Sequence, residues 1–288
     1  MSHISIKNDT FSAAIDPTGA QLASLVRLST GEEFMWQRDP AFWKDVAPVL
    51  FPIVGGLRNG TYSYDGKTYE MAKHGVVRHV EFELAQHTDD ACELVFKANE
   101  VTQASFPFDF ELRLIFQLTE TGIQVNYHIL NAGAVDMPAG LGYHPAFNIN
   151  IEDFSHSDYE IFFDHPETLD LYGLVDGLTQ KKQDEYLKDT QILPVTEHLF
   201  DEDALIFLNI SSKSIGIRRK SDDWSLTMTT GGAPHLGIWA KPAAPYICLE
   251  PWYTYNDSPA ATGDLFQKEG MKTMKPGEVF EAGYTVSV

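Results

Sequence analysis

Apolar and polar residues alternate with a period of two through most of the chain. The clearest case is 108–118, where Phe108, Phe110, Leu112 and Leu114 share one face and Asp109, Glu111 and Arg113 the other. That is the pattern of a half-buried β-strand. Thr119-Glu120-Thr121-Gly122 breaks the run and 123–129 alternates again, which predicts an antiparallel hairpin. The same reading predicts strands at 11–15, 22–28, 161–164, 215–218, 225–229, 236–240, 246–250 and 280–288. A second hairpin, 62–64 with 67–69, is closed by Asp65-Gly66, a pair suited to the positive φ of a two-residue turn. Helical periodicity is confined to the short stretches 39–44, 184–188 and 264–269. Many strands with short turns and almost no amphipathic helix predict an all-β sandwich or barrel. Residues 173–189 are polar enough for a long surface excursion, and no repeat or low-complexity linker divides the chain, so 1–288 reads as a single domain.

Composition narrows the setting. Hydrophobic residues make up 43% and aromatics 12%, which fills a core and leaves rings for a binding surface. The net charge of −20 opposes attraction to nucleic acid or anionic lipid, so neither is an expected partner. Cys92 and Cys248 stand far apart, outside any zinc or disulfide spacing. The first residues lack the pattern of a secretory signal, and no apolar run is long enough to span a bilayer. A cytoplasmic protein is expected. Nucleotide-binding glycine loops, H-E-x-x-H and G-x-S-x-G are absent, and His74, His79 and Glu81 lack a common zinc spacing. Side chains alone are therefore expected to carry the chemistry, without metal or cofactor.

Four segments place polar groups within apolar strands or tight loops. In Gly142-Tyr143-His144-Pro145-Ala146-Phe147, the proline biases His144 toward extended backbone and two rings flank it. A histidine so held is either a satisfied core residue or a proton donor and acceptor working near neutrality. Glu250 offers it a partner, lying before Pro251 on a strand that alternates Tyr246, Cys248 and Glu250 on one side. The other two segments are Lys73-His74-Gly75-Val76-Val77-Arg78 and an apolar strand, 50–56, that ends in glycines and delivers Arg58. Asp203, before the apolar run 204–207, is a further candidate. With Trp36, Trp239 and Trp252, these residues supply what a neutral polyol needs: charged groups for the hydroxyls and aromatic faces for the C–H side of a ring. A small-molecule sugar is the expected partner, bound by a monomer or homodimer.

The order Leu-Phe-Pro-Ile-Val-Gly (50–55), Lys-His-Gly-x-x-Arg (73–78), Gly-Tyr-His-Pro-x-Phe (142–147) and Leu-Glu-Pro-Trp (249–252) resembles the aldose 1-epimerases, or galactose mutarotase-like proteins. In detail it is most similar to the branch found beside lactose and galactose genes in lactic-acid bacteria. The resemblance implies a supersandwich of large antiparallel sheets and interconversion of the anomers of a hexose. It also implies roles. Glu250 would be the base at the anomeric hydroxyl, His144 the acid at the ring oxygen, His74 a hydrogen-bonding group near that oxygen, and Asp203 the grip on distal hydroxyls. Two departures bear on the substrate: Val76-Val77 where the branch has Phe-Ala, and Gly56 where it carries arginine, so that either Arg58 fills the family arginine's role or the role is lost. A hexose 6-phosphate held by Arg58 and Arg78, or sugar binding without turnover, are the alternatives. A glycoside hydrolase would need a second prepared carboxylate opposite Glu250.

Overall fold

The structure, a computed structural model, describes residues 3–288. Thirteen strands form one antiparallel sheet. In spatial order twelve of them run Ala146–Asn148, Tyr246–Trp252, His235–Trp239, Leu205–Leu208, Tyr159–Val175, Ser214–Arg219, Ser225–Thr229, Val279–Ser287, Gly122–Asn131, Phe110–Leu118, Ala91–Lys97 and Glu83–His87. Leu178–Pro194, the thirteenth, pairs with Tyr159–Val175. A four-stranded sheet, Ile4–Lys7, Phe11–Asp16, Gln21–Arg27 and Glu32–Glu33, and two small two-stranded sheets complete the all-β fold. Strand Phe110–Leu118 buries every second residue along its whole length, as its alternation requires. Val279–Ser287 pairs with Gly122–Asn131 on one side and Ser225–Thr229 on the other, so the last strand ties the two halves of the large sheet together.

Three expectations change. The polar stretch 173–189, including 184–188 where a short helix was expected, belongs to a hairpin of two 17-residue strands turning at Asp176-Gly177. Its second strand is mostly solvated and its pairing shifts register several times, so no single face carries an apolar repeat. Residues 39–44 form turns, in which Phe42 N and Trp43 N both donate to Asp39 O (3.0 Å each). Residues 50–56, apolar enough for a strand, make only isolated bridges, Leu50 to Gly142 and Phe51 to Gly75. Pro52 has no N–H for a ladder and Gly55 turns at φ +68, so the segment is buried without pairing regularly. A helix also appears where none was expected: α1, Glu100–Ser105, capped by Asn99 Oδ1 accepting from Val101 N and Thr102 N.

Candidate active site

Strand register brings the two halves of the site together. Ala146 pairs with Cys248, and the zipper continues past the formal strand: Leu249 N donates to Pro145 O (3.2 Å), Tyr143 N to Pro251 O (3.1 Å), and Gly142 bridges Trp252. This register sets His144 opposite Glu250. Both prolines take part through their carbonyls, the backbone group that proline retains. His144 Nε2 lies 3.3 Å from Glu250 Oε2, with both side chains buried. The approach is not aligned as a hydrogen bond. Glu250 Oε2, His144 Nδ1 and Trp252 Nε1 have no hydrogen-bond partner among the described residues. Polar groups are rarely buried unpaired without a reason in the molecule's work.

The surrounding rings fix the imidazole. Trp43 stacks on His144 at 4.8 Å and 28°, while Trp239 and His74 meet it edge-on at 5.9 and 5.7 Å. Tyr143, the neighbour in sequence, packs into the core against Tyr127 and Tyr284. On the adjacent strand Gly237 pairs with Glu250 and His235 with Trp252. A Cβ on Gly237 would lie 2.3 Å from the Trp252 ring, so the glycine makes room for that indole beside the carboxyl.

His144, Glu250, His74, Arg78, Asp203 and Trp239 all line one cavity of about 360 Å³, in the size range of small-molecule sites. His74 is buried, and its Nδ1 accepts from Gly55 N (3.1 Å). That bond leaves Nε2 carrying the proton in the neutral ring. Asp203 is exposed at the rim with φ +79, and its Oδ1 accepts from Ala204 N. Arg78 donates from Nε and Nη2 to Asp45 Oδ2, so its charge already has a counter-ion. Arg58 is not brought in. It is exposed, starts a short 3₁₀ turn and donates to Pro259 O (3.0 Å) outside the cavity. Trp36, one of the rings first considered for a sugar, lies in the core against Tyr246 with its indole N–H on Trp43 O. Trp43, Lys241 and Asn256 line the cavity although no sequence motif singled them out, and so does Lys73, which the motif at 73–78 contains but to which no role was given. Lys73 stands next to His74, and Trp43 follows the turn signal Asp39-Pro40. Those were the available clues.

The electrostatics divide the pair. Burial pushes Glu250 well above the ordinary carboxylate value and Asp203 adds to the rise, while Lys73, the Trp252 indole and Arg78 oppose it. Burial pushes His144 down to about 3, with Arg78 and Lys73 acting in the same direction. His74 is also held well below the usual histidine value, by burial first and then by His144, Lys73 and Arg78. Ligand atoms of His144, Cys248 and Glu250 lie within 4.8 Å of one another, a spacing open to a metal. However, burial and then Glu250 raise the Cys248 thiol far above its usual value. Burial thus disfavours the thiolate that metal ligation by Cys248 would need. What the cavity presents is an imidazole and a carboxyl matched for proton exchange.

The family model for aldose 1-epimerase matches residues 2–286, and the chain belongs to that family. It is 32% identical to a galactose mutarotase related enzyme from Lactobacillus acidophilus, with a TM-score of 0.93 over 99% of this chain and 96% of that one. A galactose mutarotase-like protein from Lactobacillus casei ATCC 334 is 30% identical, also with a TM-score of 0.93, over 99% of each chain. The plasmid protein LacX of Lactococcus lactis subsp. lactis is 27% identical over 99% of both chains. Among the described residues no helix is long and apolar enough to cross a membrane.

Proposed function

We propose that the chain is a mutarotase that interconverts the α and β anomers of a free hexose. The observation that carries this reading is the buried pair of Glu250 and His144, 3.3 Å apart on the wall of a ring-lined cavity. Glu250 removes the proton of the anomeric hydroxyl as His144 protonates the ring oxygen. The bond between C1 and that oxygen breaks and leaves the open aldehyde. Rotation about the bond between C1 and C2, then closure with the proton transfers reversed, gives the other anomer. Nε2–H of His74 donates near the ring oxygen, Asp203 accepts from distal hydroxyls, and Trp239 and Trp43 cover the apolar side of the ring.

The proton count balances across this step. A carboxylate with an imidazolium holds one proton between the two groups, and so does a carboxyl with a neutral imidazole. Ring opening converts the first arrangement into the second. Burial favours the second, since each neutral form is the cheaper one to keep from water. The pocket thus pulls the pair toward the state reached when the ring opens, and sugar hydroxyls must support the charged state that precedes it.

The cavity draws residues from Phe42 to Asn256, which is consistent with one domain spanning the chain. A hexose 6-phosphate is the weaker reading. Arg58 lies outside the cavity and Arg78 is paired with Asp45. The test is polarimetry or NMR of freshly dissolved α-glucose, α-galactose and glucose 6-phosphate. Wild-type protein is expected to speed equilibration of a free hexose, and Glu250→Gln or His144→Ala to lower turnover by about two orders of magnitude or more. Binding of sugar with no acceleration over buffer would reduce the protein to a binder.

A further inference from the structure

Behind the candidate active site lies a second cavity of about 130 Å³, lined by Leu57, Tyr255, Asp257 and Lys268 and sharing Asn256 with the first. It contains a buried ion pair. Lys268 Nζ donates to Asp257 Oδ1 at 2.8 Å, and the two side chains are only 6% and 5% exposed. Lys268 Nζ also donates to Tyr255 O, and Asp257 Oδ2 accepts from Arg58 N at 2.9 Å. Burying such a pair costs desolvation that its attraction repays only in part, so stability alone is a poor reason for it.

Its contacts run to His74. Asp257 N donates to Gly56 O (3.0 Å), so the backbone at 56–58 is held at both ends of one aspartate. The Asn256 amide lies against Gly55, where a Cβ would fall 1.8 Å from Asn256 Oδ1, and Gly55 itself has φ +68. Only glycine fits that turn. Gly55 then sets His74 from two directions: its N–H donates to His74 Nδ1 (3.1 Å) and its carbonyl accepts from His74 N (2.8 Å). His74 has a positive φ of 71°, a conformation that persists when its surroundings impose it.

We infer that Lys268 and Asp257 are positioning residues which, through the turn 55–58, hold the His74 ring with its Nε2–H directed to the bound sugar. Removing the Lys268 charge leaves Asp257 buried and unpaired. Without its partner the Asp257 side chain is free to shift, which loosens its hold on Arg58 N–H.

The inference rests on the mutarotase reading for its kinetic test, but has a second readout that does not. Lys268→Met is expected to lower kcat/KM roughly tenfold in the wild-type background and by less than about twofold in His74→Ala, because the pair acts through that ring. Long-range ¹H–¹⁵N spectra, assigned by loss of the signal in His74→Ala, should show one Nε2–H tautomer of His74 in wild type and a mixture in Lys268→Met. Lys268→Gln, which keeps a donor without charge, gives the same comparison if the methionine variant folds poorly. Equal loss in both backgrounds, or an unchanged tautomer, would overturn the inference. A wild type without mutarotase activity would sink the functional reading and leave the tautomer result to judge this one.

Discussion

At the scale of residues, the Glu250 and His144 pair titrates as a unit, and its macroscopic steps belong to both groups. Below about pH 3 the pair holds two protons. It keeps one up to the raised value of Glu250 and none beyond it. Only the singly protonated pair can open and close the ring, so kcat/KM is expected to fall as pH rises through the raised value of Glu250. Lys73 is the leading charge opposing the rise at Glu250. Lys73→Met should therefore move the alkaline limb to higher pH, read from pH–rate profiles corrected for buffer catalysis. A limb that stays in place, or moves down, contradicts the electrostatic assignment. The paired residues were legible in sequence because prolines beside His144 and Glu250 and alternation around Glu250 are local signals. Asn256 was not, nor was the role of Lys73 within its motif, since an asparagine in a loop and an exposed lysine acquire meaning only when distant segments meet. Arg58 misled for the converse reason: a charge next to a glycine turn says nothing of which way the turn faces.

Among the elements, strands with one buried face were readable, and those whose polarity has another cause were not. Ser225–Thr229 coincides with the predicted run, and the hairpin Thr61–Tyr64 with Lys67–Glu70 turns at the expected Asp65-Gly66. Leu178–Pro194 escaped because solvent takes most of its side chains and bulges break its period. Helix α1 escaped because six residues are too few to show a 3.6-residue repeat. Its stability rests on ends, not on a buried stripe. Asn99 accepts from Val101 N and Thr102 N, while the Thr102 hydroxyl accepts from Asn99 N. Asn99→Ala should cost about 1 kcal/mol in urea denaturation. A loss no greater than about 0.3 kcal/mol would mean that the packing of Phe106 after the helix, and not the cap, holds this turn.

For the whole molecule, two electrostatic effects oppose each other as pH falls. Burial holds His74, His144 and His235 below the usual histidine value, His144 to about 3 and His235 to about 4. In the unfolded chain they take protons near pH 6.5. Between that pH and their folded values the unfolded state binds more protons, so stability rises with pH and is lost as pH falls. Glu250 has the opposite sign: its raised value means the folded state binds the extra proton above the unfolded carboxylate range. Three histidines against one carboxyl leave the balance with the histidines, so stability is expected to fall as pH drops through the unfolded histidine range. The net charge of −20 pushes the other way, because acid relieves self-repulsion of the folded chain. Salt separates the two. The Debye length is about 30 Å at about 0.01 M and about 3 Å at about 1 M, so high salt removes the long-range repulsion and leaves the buried histidines nearly untouched. Urea unfolding between pH 7 and 5 should therefore lose stability more steeply at high salt than at low salt. Equal slopes would mean that surface charge contributes little to stability, and no loss of stability at high salt would mean that the histidines are not held neutral.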